Sequence, residues 1–175
     1  MRGLGSRWWW LGGILVVVAW LLVSITQVEA ESLKWRQSQH HVKAESVEVH
    51  DVPGHVIGVT DLRGVAFFEN GEVAALSIKG LIDYINGNGP HQAYSLYAFQ
   101  DGSGFVIKIQ IQGATMATQD GKDFEFKGMF SFIRGSGRFA GIQGSGSYTG
   151  RRLATLGVGA EGYMDYTASY AVSTR

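Results

Sequence analysis

The stretch FVIKIQIQ, residues 105–112, decides the fold class of this chain. Its odd-numbered residues are apolar, and its even-numbered residues are mostly polar. A two-residue period is typical of a β-strand with one buried face, because successive side chains of a strand point to opposite faces. A helix would instead repeat its apolar residues every three or four positions. We therefore predict a strand whose buried face is formed by Phe105, Ile107, Ile109 and Ile111.

Two other stretches show the same period. In residues 124–132 the phenylalanines share one face, and in residues 163–172 one face carries Met164, Tyr166, Ala168, Tyr170 and Val172. The prediction for the core is therefore specific. The inward-pointing residues should include Phe124, Phe126, Phe130 and Phe132, and the solvent-facing residues should include Lys108, Gln110, Glu125 and Lys127.

Short turn signals divide the mature chain into eight apolar runs. The runs cover residues 43–52, 55–69, 72–85, 92–100, 105–118, 124–134, 138–152 and 160–172. Asn70-Gly71 predicts a type I′ hairpin turn, in which both residues have positive φ. Short turns favour an antiparallel meander, and closure removes its two exposed edges. We predict an all-β fold, an eight-stranded antiparallel up-and-down closed barrel, with a two-sheet sandwich as the alternative.

The first thirty residues have the order of a secretory leader. Arg2 and Arg7 precede the uncharged run 8–25, and Val28 and Ala30 place small residues before a cleavage site at Glu31. The run is also long enough to approach a membrane span, so an uncleaved N-terminal anchor is the alternative. Residues 31–42 show no clear period and are predicted to form a linker, followed by the barrel domain at 43–175. Either way the barrel is expected outside the cytoplasm, periplasmic or secreted, and it contacts the membrane through residues 8–25 only if the leader is not cleaved.

Charge and composition exclude several function classes. The chain has 15 basic and 15 acidic residues, and the part after residue 30 has a net charge of about −1, so no basic surface for nucleic acid is predicted. It has no cysteine, which excludes disulfides and thiol nucleophiles. No nucleophile elbow, phosphate loop or zinc-protease motif is present, so no cofactor is predicted and the sequence favours a protein that is not an enzyme.

Residues 134–152, RGSGRFAGIQGSGSYTGRR, carry a family resemblance. The Gly-x-Gly-Arg-Phe element and the alternate glycines after it resemble late strands of allene oxide cyclase and dirigent-type calycin-like barrels. The bacterial proteins with an allene oxide cyclase barrel-like domain are similar also at Asp51–His55 and at the Asp101-Gly102-Ser103 turn. The resemblance implies a barrel and, in the wider group, cyclisation of a hydrophobic substrate or control of radical coupling. No catalytic residue can be transferred, because the similar positions are turns and glycines.

Several side chains are candidates for a ligand site at a barrel mouth. Asp83 and Tyr84 end an apolar strand, and three further aromatic residues could stack on a hydrophobic ligand: Tyr94, Tyr97 and Tyr166. Four arginines flank the glycine-rich hairpin and could form a rim that binds a carboxylate or a partner: Arg134, Arg138, Arg151 and Arg152.

The cluster of His50, Asp51 and His55 contains metal-ligand types, but Pro53-Gly54 separates the two histidines, and no metal site is predicted. We therefore expect a barrel that binds a small hydrophobic ligand or a protein partner, with homo-oligomerisation left open. A cyclase- or isomerase-like enzyme is the first alternative, and a small outer-membrane barrel is the second.

Overall fold

The computed structural model describes residues 30–117 and 124–173. Eight antiparallel strands form a closed barrel in which each strand pairs with the next and the last strand pairs with the first. A 3₁₀ turn, Gly137–Phe139, precedes the seventh strand. The strands are β1 Glu31–Glu48, β2 His55–Phe68, β3 Val73–Ile85, β4 Gly89–Phe99, β5 Gly104–Ala117, β6 Phe124–Ser136, β7 Ile142–Arg152 and β8 Glu161–Val172.

The predicted closed barrel is confirmed, and closure excludes the sandwich. The predicted leader, residues 1–30, lies almost wholly outside the described residues, and β1 begins at Glu31. Within the part of the chain that the structure describes, no helix is long and apolar enough to cross a membrane.

Residues 31–42 differ from the prediction, because they are not a linker. They form most of β1 and pair with β2 on one side and β8 on the other. Their inward side chains after Trp35 are Gln37, Gln39 and His41, all of which are buried. Residues 31–42 therefore do alternate between the two faces of a strand, but the side chains on the buried face are mostly polar. A prediction based on hydrophobic periodicity does not detect such a strand.

The hairpin at Asn70-Gly71 is in the predicted place but has a different turn. Gly71 has a φ of 84°, whereas Asn70 is absent from the described residues with positive φ. Gly71 N–H donates to the Phe68 carbonyl at 2.9 Å, and Phe68 N–H donates to the Glu72 carbonyl at 2.9 Å. This is the pattern of a three-residue loop with a glycine bulge, in which only the glycine needs positive φ.

One half of the barrel interior is filled by aromatic rings. We call this set the aromatic plug; its described members include Trp35, Phe68, Phe99, Phe105, Phe130, Phe132 and Phe139. The guanidinium of Arg138 lies over the rings of Phe99 and Phe139, and it forms an ion pair with Glu72 at 2.6 Å. The predicted inward residues of β5 and β6 whose side chains are described are buried, while that of Ile111 lies outside the description.

The glycine-rich strand β7 is pressed against its neighbours. A Cβ on Gly146 would lie 2.6 Å from Cζ of Phe130, closer than packed side chains tolerate. Gly144 has a φ of 139°, and a Cβ there would lie 2.7 Å from the Cα of Tyr170. Both glycines therefore serve the packing of the barrel wall.

Candidate functional site

The half of the barrel opposite the aromatic plug contains a small cavity. Its volume is about 50 Å³, and it lies between the barrel interior and the β7–β8 loop, residues 153–160. Leu156 of that loop lines the cavity, and the loop is fixed to β1 by hydrogen bonds between the backbones of His41 and Ala160 (3.0 Å) and of Gly159 and His41 (2.7 Å). Apolar side chains form much of the remaining wall: Leu62, Ile78, Ile82, Ala93, Ile109, Phe126 and Met164.

A layer of hydrogen-bonded polar groups separates the cavity from the plug. Trp35 Nε1–H donates to the hydroxyl of Tyr97 at 3.2 Å, and that hydroxyl donates to Oε1 of Gln37 at 2.7 Å. Gln37 in turn donates to Gln39, which lines the cavity. Tyr166 lies beside this layer, and its ring stacks on that of Trp35 with centroids 4.7 Å apart. Burial raises the pKa of both tyrosines, so their hydroxyls keep their protons.

His91 and Tyr148 form a buried pair at the cavity wall. The His91 side chain lines the cavity, and its Nε2 lies 2.6 Å from the Tyr148 hydroxyl oxygen. Burial, helped by the charge of Arg152, lowers the pKa of His91 to about 4. Burial also raises the pKa of Tyr148 above its ordinary value. At neutral pH the pair therefore consists of an uncharged imidazole and a protonated phenol joined by a short hydrogen bond.

The end of β7 contributes a buried cation to the same cavity. The Arg152 side chain is only 2% exposed, its guanidinium carbon lies 4.4 Å from the centre of the Phe124 ring, and its Nε–H donates to the Ala154 carbonyl at 2.9 Å. Its Nη2 is buried and has no hydrogen-bond partner among the described residues. Burial lowers the pKa of Arg152, but from an ordinary value so high that the group remains charged.

The structure separates the predicted arginine rim. Arg152 points inward, while its neighbour Arg151 points outward and pairs with Glu125 at 3.0 Å. Arg138 lies over the rings of Phe99 and Phe139 at the opposite end of the barrel, and Arg134 is exposed on β6. The four predicted residues therefore do not form one surface.

The other predicted ligand residues are also divided between the two faces. Tyr84 and Tyr166 line the cavity, and Tyr97 lies in the polar layer beside it. Asp83 and Tyr94 are exposed on the outer wall, where Lys108 lies over the Tyr94 ring at 5.5 Å. Sequence reasoning missed His41, His91 and Tyr148, and only Tyr148 lies in a predicted run, 138–152, whose alternation could have placed it inward.

The histidines around Pro53-Gly54 do not converge. His50 is exposed and lies 3.3 Å from Glu48. The His55 imidazole is held between two carboxylates, with Nδ1 2.5 Å from Asp51 and Nε2 2.8 Å from Asp83. We call these three residues the histidine clamp, because they join the β1–β2 turn to β3. In residues 30–117 and 124–173, no group of three or more His, Cys, Asp or Glu side chains is arranged to hold a metal ion.

Comparison with known proteins gives one distant structural similarity. The chain is similar to the crystal structure of a protein with unknown function from the DUF3224 family of Shewanella oneidensis MR-1, with 15% sequence identity and a TM-score of 0.49. The similarity covers 84% of this chain and 100% of that chain. No protein-family model matches the chain, and no curated protein matches it.

Proposed function

We propose that this barrel binds a compact, largely apolar small molecule in the cavity beneath the β7–β8 loop. The observation that carries the proposal is an apolar-walled cavity with a few convergent polar groups, which is the usual composition of a ligand pocket. Eight-stranded barrels are just wide enough to be filled by side chains or to hold one small ligand. This cavity favours a small ligand over a protein partner as the molecule that is recognised.

The size of the cavity sets the size of the ligand. About 10–15 Å³ of such volume accommodates one water molecule, so about 50 Å³ has room for roughly four. A ligand of about four to six non-hydrogen atoms would fill it, and a longer molecule would have to extend past Leu156 into solvent. At a ceiling of about −1.5 kcal/mol per non-hydrogen atom, four to six atoms give at most about −6 to −9 kcal/mol, so the Kd can be no lower than about 4 × 10⁻⁵ to 3 × 10⁻⁷ M.

Titration with small neutral molecules tests the proposal. Butanol and cyclobutanol should shift the backbone amide NMR signals of cavity-lining residues, and Ala93→Leu should abolish the shifts because the larger side chain occupies the cavity. Ala98→Leu is the matched control, since Ala98 lies on the same strand and faces outward. Equal responses of the two variants, or no response in the parent protein, would refute binding in this cavity.

The barrel is proposed to function in water outside the cytoplasm. The order of residues 1–30 supports export, and the outer wall carries ion pairs of Arg36 with Asp165 and of Lys79 with Asp61. A lipid-facing band would have to bury such charges, so the outer wall favours an aqueous barrel over the outer-membrane alternative.

A second candidate is a cyclase- or isomerase-like reaction, which the family resemblance suggests. The His91–Tyr148 pair favours it, because a neutral imidazole and a phenol in contact can relay a proton to or from a bound substrate. Tyr148→Phe should then lower the rate of isomerisation of a short epoxide that fits the cavity, such as 1,2-epoxybutane, about 10²- to 10⁴-fold while leaving binding intact. Absence of turnover by the parent protein would exclude this reaction.

A further inference from the structure

The cavity contains a positive charge that the described protein groups around it do not balance. Arg152 lines the cavity, is 2% exposed, and has a buried Nη2 group for which residues 30–117 and 124–173 offer no hydrogen-bond partner. Its other described interactions are the bond from Nε to the Ala154 carbonyl, contact with the faces of the Phe124 and Phe126 rings, and an electrostatic interaction with the side chain of Tyr84. Aromatic faces stabilise a cation, but they do not accept the unused N–H of Nη2 in the geometry of a carboxylate.

The positive charge of Arg152 has no carboxylate counter-ion among the described residues around the cavity. Of the described residues that line it, none is Asp or Glu. Burial lowers the pKa of His41, although the hydrogen bond between its imidazole and the Ala160 carbonyl has the opposite effect. Burial also lowers the pKa of His91. Tyr166 stays protonated because burial raises its pKa. The Arg152 guanidinium therefore faces no carboxylate among the described residues that line the cavity, and a buried charge without a counter-ion is unfavourable.

We propose that the ligand of this cavity is a compact monocarboxylate whose carboxylate accepts hydrogen bonds from Arg152. The guanidinium fork matches a carboxylate geometrically, and Nη2 supplies a donor that needs an acceptor. The alkyl part would lie against Ile82 and Met164, which line the same cavity. The available volume selects acids of about the size of butyrate. This inference rests on the proposed function and adds the chemical class of the ligand to it.

Arg152 also has a structural contact, and the test must separate the two roles. Its Nε–H fixes the start of the β7–β8 loop through Ala154. A residue that only anchored the loop would affect stability and would bind butyrate and its neutral amide equally well. The informative quantity is therefore the ratio of the two affinities and not the affinity for one ligand.

Isothermal titration of the purified protein with butyrate, butyramide and inorganic phosphate at constant ionic strength measures this ratio. We expect butyrate to bind at least tenfold more tightly than butyramide. Arg152→Gln should reduce the ratio to about one, while Arg151→Gln, which changes the adjacent outward-facing arginine, should leave it unchanged. The comparison within the parent protein needs no variant, so it decides the question even where Arg152→Gln fails to fold.

Each outcome has a defined meaning. Equal affinities for butyrate and butyramide in the parent protein would overturn the carboxylate assignment and leave the proposed function standing. No binding of butyrate, butyramide or butanol would refute both. Phosphate binding as tightly as butyrate, with the same dependence on Arg152, would show recognition of charge alone and overturn the assignment of an alkyl carboxylate.

Discussion

Replacing one phenylalanine in each half of the barrel tests whether the interior is divided into a plug and a cavity. Phe130 and Phe126 both point inward from β6. Phe130 is 1% exposed, and its ring centroid lies 5.6 Å from that of Trp35 and 5.4 Å from that of Tyr166. Phe126 lines the cavity and has a described ring contact with His91 at 5.6 Å. The same substitution, Phe to Ala, therefore removes the same atoms from two different environments.

The two costs should differ by about 2 kcal/mol. Phe→Ala in a core costs about 3–5 kcal/mol, and a void of about 100 Å³ at about 24 cal/mol per Å³ contributes about 2.4 kcal/mol of that. At Phe130 the void is enclosed by rings, so we expect the full cost, about 4–5 kcal/mol. At Phe126 the void joins the existing cavity beside polar groups, where water can enter, so we expect about 2–3 kcal/mol.

Equilibrium urea unfolding followed by far-UV circular dichroism measures both values. The slope of unfolding free energy against urea should stay the same for parent and variants, which indicates that the folded state remains equally compact. Costs that agree within about 0.5 kcal/mol, or a larger cost for Phe126→Ala, would refute the division of the interior into a rigid half and an open half.

Three further predictions follow from other parts of the chain. Gly146→Val should lower the unfolding free energy by about 1–3 kcal/mol through overpacking against the neighbouring ring, whereas Gly157→Val, where a Cβ meets nothing within 4 Å, should change it little in the same urea experiment. Hydrogen bonds to Asp83 and Asp51, the two carboxylates of the histidine clamp, raise the pKa of His55, so the stabilisation that the charged imidazole provides is complete below the ordinary pKa of histidine and is lost as the pH rises through the raised value. His55→Gln should therefore lower the melting temperature more at about pH 6 than at about pH 9. An equal loss at both pH values would contradict the clamp. N-terminal sequencing of protein recovered from the expressing cells should give Glu31 as the first residue, and an intact leader would favour the anchor.

The fold could be predicted because three strands alternate cleanly between apolar and polar residues. The first strand could not be predicted in this way, because its inward positions include Gln37 and Gln39, and glutamine is typical of exposed positions. What permits their burial is the hydroxyl of Tyr97 on β4, 60 residues away from Gln37 along the chain. A local pattern contains no information about such a partner, so sequence periodicity alone assigns the segment to a linker.

The site was predicted only in part, and for a related reason. Tyr84, Tyr166 and Arg152 are among the predicted residues and do reach the cavity. Treating Arg151 and Arg152 as one rim ignored the alternation that strand β7 imposes, which sends consecutive side chains to opposite faces. His91 lies just outside the predicted run 92–100, so the sequence analysis did not predict whether its side chain points into the barrel or into solvent.

The two halves of the interior have opposite effects on the stability of the fold, because the aromatic plug stabilises it and the features of the cavity destabilise it. This combination supports the proposed binding role. Aromatic packing in the plug buries large side chains with little exposed area, and such packing stabilises the fold strongly. The other half keeps a buried guanidinium with an unused donor and an unfilled volume, both of which are unfavourable for folding. Selection for stability alone would favour apolar side chains of similar volume at these positions, and the presence of a cavity and a buried charge is what the proposed binding function would require. A carboxylate in the cavity would satisfy both at once, since its charge would pair with Arg152 and its alkyl part would fill the void.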